Sequence, residues 1–134
     1  MKVLVTEYLR IDLDSEMWEC RHCGRVHGSA HENYKKFMLI YDRNPQEVHR
    51  PLLDPTRYTF NFAPDPKVCV IYEFYCPDCG TMVEVEYTVP GHLPLHDIEL
   101  DIDVLKVQWQ GREELTEGGS APDTVRKPAC GHSH

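Results

Sequence analysis

The chain has 134 residues, close to the common size of a single domain, so two independent cores are not expected. Its 22 acidic side chains against 14 basic ones give a formal net charge of -8, a surface that repels phosphate backbones and anionic membranes and argues against a nucleic-acid partner. The apolar stub Val3-Leu4-Val5 is shorter than the roughly 7 to 15 residues of a signal peptide, and no run approaches the ~20 of a membrane helix, so the expected compartment is the cytoplasm, where six cysteines read as metal ligands before disulfides.

Residues 2–13 set Val3, Val5, Tyr8 and Ile11 among polar neighbours, which predicts one strand that drifts out of period. Met17-Trp18-Glu19 is a short apolar lead into the turn-like Cys20-Arg21-His22-Cys23-Gly24. Ser29-Ala30-His31-Glu32 has the form of a capping box and predicts a helix from Ala30. Behind it Tyr34, Phe37, Met38 and Tyr41 have the spacing of a buried helical stripe, yet Phe37-Met38-Leu39-Ile40-Tyr41 reads equally as a buried strand, and period alone leaves both open. Asn44-Pro45-Gln46-Glu47 starts a second helix, with Asn as cap and Pro at the first helical position, ending before Pro51.

Residues 54–66 hold Pro55, Pro64 and Pro66 and read as a surface loop. The β-branched and aromatic run 68–75 and the alternating run 81–87 flank Cys76-Pro77-Asp78-Cys79-Gly80, predicting a hairpin whose turn is a metal knuckle. Past Pro90-Gly91, acidic Asp97, Glu99, Asp101 and Asp103 alternate with Ile98, Leu100, Ile102 and Leu105, an edge strand or an irregular arm, followed by a short helix over 104–109. From Gly111 the apolar periodicity is lost, so 1–110 is the expected domain and 111–134 a flexible C-terminal tail. The fold class is α+β, a small single domain built on a zinc-ribbon-like β-hairpin, with one or two short helices inserted between the two knuckles.

Two C-x-x-C-G turns predict one tetrahedral metal shell made by Cys20, Cys23, Cys76 and Cys79. Each turn aims two sulfurs at one centre, and the glycine accommodates the backbone that leaves it. Four thiolates leave no open position for water or substrate, so the ion, expected to be Zn²⁺ at one per chain, is structural. Shells of this kind also hold a single iron, and the residues alone leave that alternative open. Cys69 reads as a buried, inert thiol within its strand. Cys130, His132 and His134 are given no site. Pro94 denies His92 and His96 a common helical face, and they read as surface histidines. Arg21 and His22 are candidates for hydrogen bonds to sulfur, with solvent exposure as the alternative. No nucleophile with its base and no phosphate-cradling loop is present, so no catalytic residue is assigned to the chain.

Taken together, Cys20-Arg21-His22-Cys23-Gly24, Glu32-Asn33-Tyr34-Lys35, Leu39-Ile40-Tyr41-Asp42-Arg43, Glu73-Phe74-Tyr75-Cys76-Pro77-Asp78-Cys79-Gly80-Thr81, Val83-Glu84-Val85-Glu86 and Val89-Pro90-Gly91 resemble the small gamma subunit of acetone and acetophenone carboxylases. The resemblance runs from about Trp18 to Gly111 and takes in Asp101-Ile102-Asp103 and Trp109. It implies a hetero-oligomeric, biotin-independent carboxylase that uses ATP and bicarbonate to convert a ketone to a 3-oxo acid. Activation chemistry and ATP would belong to large hydantoinase-like subunits, and this chain would be a zinc-bearing accessory in the cytoplasm. Acetone-type chains have a longer N-terminal helical segment than the 19 residues that precede the first knuckle here, and residues 111–134 look like an addition. The short N-terminus leans toward the aromatic-ketone branch. Two rival readings remain: a free-standing rubredoxin-like iron protein for electron transfer, and a zinc-ribbon interaction module.

Overall fold

Thr6 breaks the first predicted strand in two. Its hydroxyl accepts hydrogen bonds from the backbone N–H of Tyr8 and Leu9, folding residues 5–8 into a turn, so the drift in period is a hairpin rather than a poor strand. The computed structural model describes residues 1–51, 54, 56–59 and 63–112. Expectations for residues 113–134, including Cys130, His132 and His134, lie outside the described residues, as do those for Leu52, Leu53, Pro55 and residues 60–62 of the predicted loop.

Four antiparallel strands, β1 (Lys2–Leu4), β2 (Leu9–Asp12), β3 (Met17–Cys20) and β4 (Val26–Ser29), form one sheet in chain order. Leu9 and Ile11 of β2 alternate inward with Leu13 just beyond, and Trp18 and Cys20 of β3 meet them in the core. Glu19 points the other way and is also buried; it is held by Lys2 Nζ at 2.7 Å and Arg10 Nε at 2.9 Å, so its charge is paired.

No helix begins at Ala30. The Ser29 hydroxyl accepts from His31 N–H rather than from Glu32, and Asn33 instead caps a single 3-10 turn over Tyr34–Phe37 by accepting from Lys35 N–H. The Phe37 ring lies flat over Gly28: a Cβ at Gly28 would stand 2.4 Å from it. The ambiguous stripe takes a form that neither reading gave: helical structure is limited to the single 3-10 turn, and the strand after it is exposed rather than buried. Tyr34 and Met38 are buried as the helical spacing requires, while β5 (Leu39–Arg43) is extended and leaves Tyr41 outward.

Helix α1 (Pro45–Val48) has the predicted Asn44 cap, which accepts from Gln46 N–H, and the predicted proline at its start. The expected hairpin is present as β6 (Val70–Tyr75) and β7 (Met82–Thr88), and β5 joins it to give a second antiparallel sheet in the order β5-β6-β7. The strand begins at Val70, one residue after Cys69, which is half-buried rather than buried within the strand.

Residues 92–101 are the irregular arm, and helix α2 (Ile102–Gln108) follows, capped by Asp101 accepting from Val104 N–H. The arm is tied down by polar contacts to the second sheet and the 3-10 turn. Leu95 N–H donates to Glu86, Asn33 Nδ2 donates to the Leu95 carbonyl, and Tyr34 OH donates to Asp97. Beneath it Lys35, 2% exposed, sets its ammonium 3.4 Å from Glu86 and 3.6 Å from Asp97, and 5.1 Å above the Phe74 ring. Ile102 enters the core, and Ile98, Leu100, Leu105 and Trp109 pack against it. The result is a small α+β domain of two antiparallel sheets that share one core. Among the described residues no helix is long and apolar enough to cross a membrane.

Candidate metal centre

The two C-x-x-C-G turns are the tips of two hairpins, β3-β4 and β6-β7, and the fold sets them face to face. They are built alike. In the first, Cys20 N–H donates to the Arg25 carbonyl at 2.8 Å and Gly24 N–H donates to the Cys20 carbonyl at 2.9 Å; in the second, Cys76 N–H donates to the Thr81 carbonyl at 2.9 Å and Gly80 N–H donates to the Cys76 carbonyl at 3.0 Å. Gly24 and Gly80 leave their turns at φ 78° and 73°, the left-handed region that glycine enters without the cost a Cβ brings.

These turns bring Cys20, Cys23, Cys76 and Cys79 together, with all four Sγ atoms within 4.8 Å of one another. Cys20 Sγ stands 3.8 Å from Cys79 Sγ, and Cys23 Sγ 3.7 Å from Cys76 Sγ. A tetrahedral shell with metal–sulfur bonds of ~2.3 Å has edges of about 3.8 Å, whereas a disulfide needs ~2.05 Å. The cluster therefore fits a tetrahedral ion, and all four thiols are free. Each knuckle contributes one buried sulfur, Cys20 or Cys76, and one exposed sulfur, Cys23 or Cys79.

Backbone N–H groups prepare the sulfurs for negative charge. Those of His22 and Cys23 point to Cys20, and those of Asp78 and Cys79 point to Cys76. Without a cation these donors do not prevail: burial pushes the Cys20 thiol up to about 12 and raises Cys76 as well. Cys79 goes the other way, to about 6, because Thr81 hydrogen-bonds it through side chain and backbone, with the Thr81 hydroxyl 3.1 Å from the sulfur. Buried thiols that resist ionisation beside aimed N–H donors suit a divalent cation, which supplies the missing charge.

Around this core Arg25 NH1 reaches Asp78 Oδ1 at 2.6 Å, an ion pair joining one knuckle to the other. Neither Arg25, Asp78 nor Thr81 was singled out by the spacing of the cysteines; an x position holding Asp, and polar residues just after each glycine, were the only available signals. Of the other candidates, Arg21 donates to the Glu7 carbonyl instead of to sulfur, and the His22 side chain is exposed. His92 and His96 are exposed, and Cys69 is not part of the cluster. The centre offers four sulfur donors and no fifth ligand among the described residues, which is the donor set of a soft, tetrahedral cation.

Comparison with known proteins adds what geometry does not. Residues 3–110 match the family model described as acetone carboxylase gamma subunit. The chain is 45% identical over 107 residues to the acetophenone carboxylase beta subunit of Aromatoleum aromaticum, covering 80% of this chain and 81% of that one. It is 31% identical over 99 residues to the acetone carboxylase gamma subunit of Xanthobacter autotrophicus, covering 72% of this chain and 55% of that protein, so it spans only about half of that relative's length.

Proposed function

The chain belongs to the acetone carboxylase gamma subunit family, and on that premise we propose that it is a non-catalytic, zinc-bearing subunit of a cytoplasmic, biotin-independent, ATP-dependent ketone carboxylase. In this reading Cys20, Cys23, Cys76 and Cys79 are the zinc ligands. Residues 1–110 are the working unit, and large hydantoinase-like subunits bind ATP and bicarbonate and carry out the carboxylation. The higher identity to the acetophenone relative than to the acetone one supports an aromatic ketone as substrate.

The observation that carries the proposal is the sulfur cluster drawn from two hairpin tips 53 to 59 residues apart in sequence. A closed four-sulfur shell has no position at which a substrate oxygen can be polarised, so its contribution is to fix one sheet against the other. A metal staple also suits a chain of this size, whose single core supplies a modest margin of stability.

Native mass spectrometry of the complex purified from its source tests this. One zinc in this chain, with much larger subunits bound, is the expected result. A lone monomer in gentle extracts would refute the subunit role. Visible absorbance with a reversible redox couple would replace zinc by iron and favour the electron-transfer reading.

A further inference from the structure

The four sulfurs of the cluster are not equivalent. Cys20 and Cys76 are 0% exposed, whereas Cys23 and Cys79 reach solvent. The two turns share their backbone hydrogen bonds and differ in the residue that follows the glycine, Arg25 in the first and Thr81 in the second. The Thr81 hydroxyl lies 3.1 Å from Cys79 Sγ. Arg25 has no hydroxyl to offer Cys23, and its Nη1 reaches across to Asp78 Oδ1 at 2.6 Å instead. A sulfur bound to a cation carries no proton, so in the loaded centre the Thr81 hydroxyl is the donor and Cys79 the acceptor.

We propose that Cys23 is the reactive ligand of the loaded centre, the sulfur at which a small thiol-directed electrophile enters, and that Thr81 is the positioning residue that withholds Cys79. The inference rests on the metal reading above and deepens the same site. Burial keeps Cys20 and Cys76 from the reagent. Between the two exposed sulfurs the fraction of thiolate does not discriminate, because a bound cation holds both deprotonated. What remains is how far the electron pairs of each sulfur are engaged. A donated O–H hydrogen bond stabilises the charge on Cys79 and must weaken as a new bond to sulfur forms, so attack by Cys79 carries a cost that attack by Cys23 does not.

With a haloacetamide the step balances without a co-reactant. A Cys23 sulfur pair forms the S–C bond, the carbon–halogen bond breaks, and the halide leaves with its pair. The product is a thioether, which is uncharged and a weaker ligand than a thiolate, so three thiolates remain. Cys23 Sγ stands 3.7 Å from Cys76 Sγ across the gap between the two hairpin tips, and the modification therefore strikes the link between the sheets.

The test is pulse labelling of the full-length chain, purified with its metal, by iodoacetamide, an uncharged reagent that the charges of Arg21 beside one knuckle and Asp78 in the other do not steer. Labelled cysteines are mapped by peptide mass spectrometry, and metal content is followed alongside. Wild type should label Cys23 about fivefold or more faster than Cys79, with metal released in step with Cys23 labelling. Thr81→Val keeps the backbone and the side-chain volume but not the hydroxyl, and should bring the two rates within about twofold, while Thr81→Ser should restore the difference. Equal labelling in wild type, or Cys79 first, would overturn the proposal, as would a Thr81→Val chain that keeps its metal and the wild-type ratio. If Thr81→Val does not fold, Thr81→Ala takes its place, and if neither holds metal the wild-type ratio alone decides. A chain purified from its source without metal would refute the metal reading itself, an outcome distinct from a loaded chain whose exposed sulfurs label alike.

Discussion

Replacing Cys76 with serine should unstaple the two sheets. Cys76 is wholly buried, and its sulfur lies 3.7 Å from that of Cys23, across the gap between the knuckles. A hydroxyl there cannot replace a thiolate, so three sulfurs remain and the tetrahedral shell opens. Among the described residues the ion pair across the tips, Arg25–Asp78, is exposed on both sides and contributes at most about 1 kcal/mol. The shared core, with Trp18 from one sheet and Phe74 from the other, persists and limits the damage. Complete zinc sites in isolated finger peptides contribute about 10–16 kcal/mol, and a domain that retains its core should lose a fraction of that, about 3–5 kcal/mol. For a domain of this size each kcal/mol moves the melting point by about 4–8 °C, so calorimetry should show a fall of about 15–30 °C, with bound metal dropping from one per chain to near zero. Cys69→Ser, outside the cluster, should change neither quantity. A Cys76→Ser protein that keeps a full equivalent of metal, or that loses it and melts within a few degrees of wild type, would refute the reasoning.

Other perturbations probe the parts around the centre. Gly28→Ala drives a methyl into the face of the Phe37 ring and should cost about 1–3 kcal/mol by urea unfolding, which Gly28→Ala with Phe37→Leu should partly recover. Lys35→Met leaves Glu86 and Asp97 without their buried cation; because Asp97 is partly solvated, the cost should be about 2–4 kcal/mol, accompanied by faster hydrogen exchange in residues 92–100. His27 is buried with neither ring nitrogen hydrogen-bonded to the protein, and burial, followed by the Arg25 charge, lowers its pKa below the usual 6.5. The unfolded chain therefore binds the extra proton first. Stability should be full above pH 6.5 and fall as pH drops toward the folded value, by up to about 1.4 kcal/mol per pH unit. Urea titrations from pH 8 to 5 should show a shallower slope for His27→Leu than for wild type; equal slopes would clear His27 of the effect.

What the sequence revealed and what it hid divide along the range of the determining interactions. The β6-β7 hairpin and the Asn44-Pro45 helix start are specified by neighbours in the chain, namely alternation, a knuckle turn, an Asx cap and a proline at the first helical position, and both stand as expected. The Ser29 capping box had the same local credentials and failed. Ser29 is committed to β4, where it pairs with Met17 of β3, and Asn33 takes over the capping one turn later. The first strand departs from expectation because Val3, Val5, Tyr8 and Ile11 share no single period: the Thr6 turn resets the phase and sets Ile11 opposite Val3 across a hairpin. Tertiary contacts overrode the local signal in the one case, and an unrecognised turn did so in the other.

The metal centre was legible for a different reason. A C-x-x-C-G turn carries its own geometry: the N–H groups of the third and fourth residues aim at the first sulfur, and the glycine turns the chain back into a strand, wherever the turn sits in the fold. Two such turns need only be brought to one place, and the mutual repulsion and burial of thiolates make any non-metal juxtaposition unfavourable. The ligand set could be read without knowing that the first knuckle, too, ends a hairpin. What could not be read was the supporting shell, because Arg25, Asp78 and Thr81 acquire their roles only when the tips face each other. The same applies to the outer face of β5-β6-β7. Leu39, Tyr41 and Met82 look like core residues in a one-dimensional pattern, and only the sheet order and register show that they are turned away from the core.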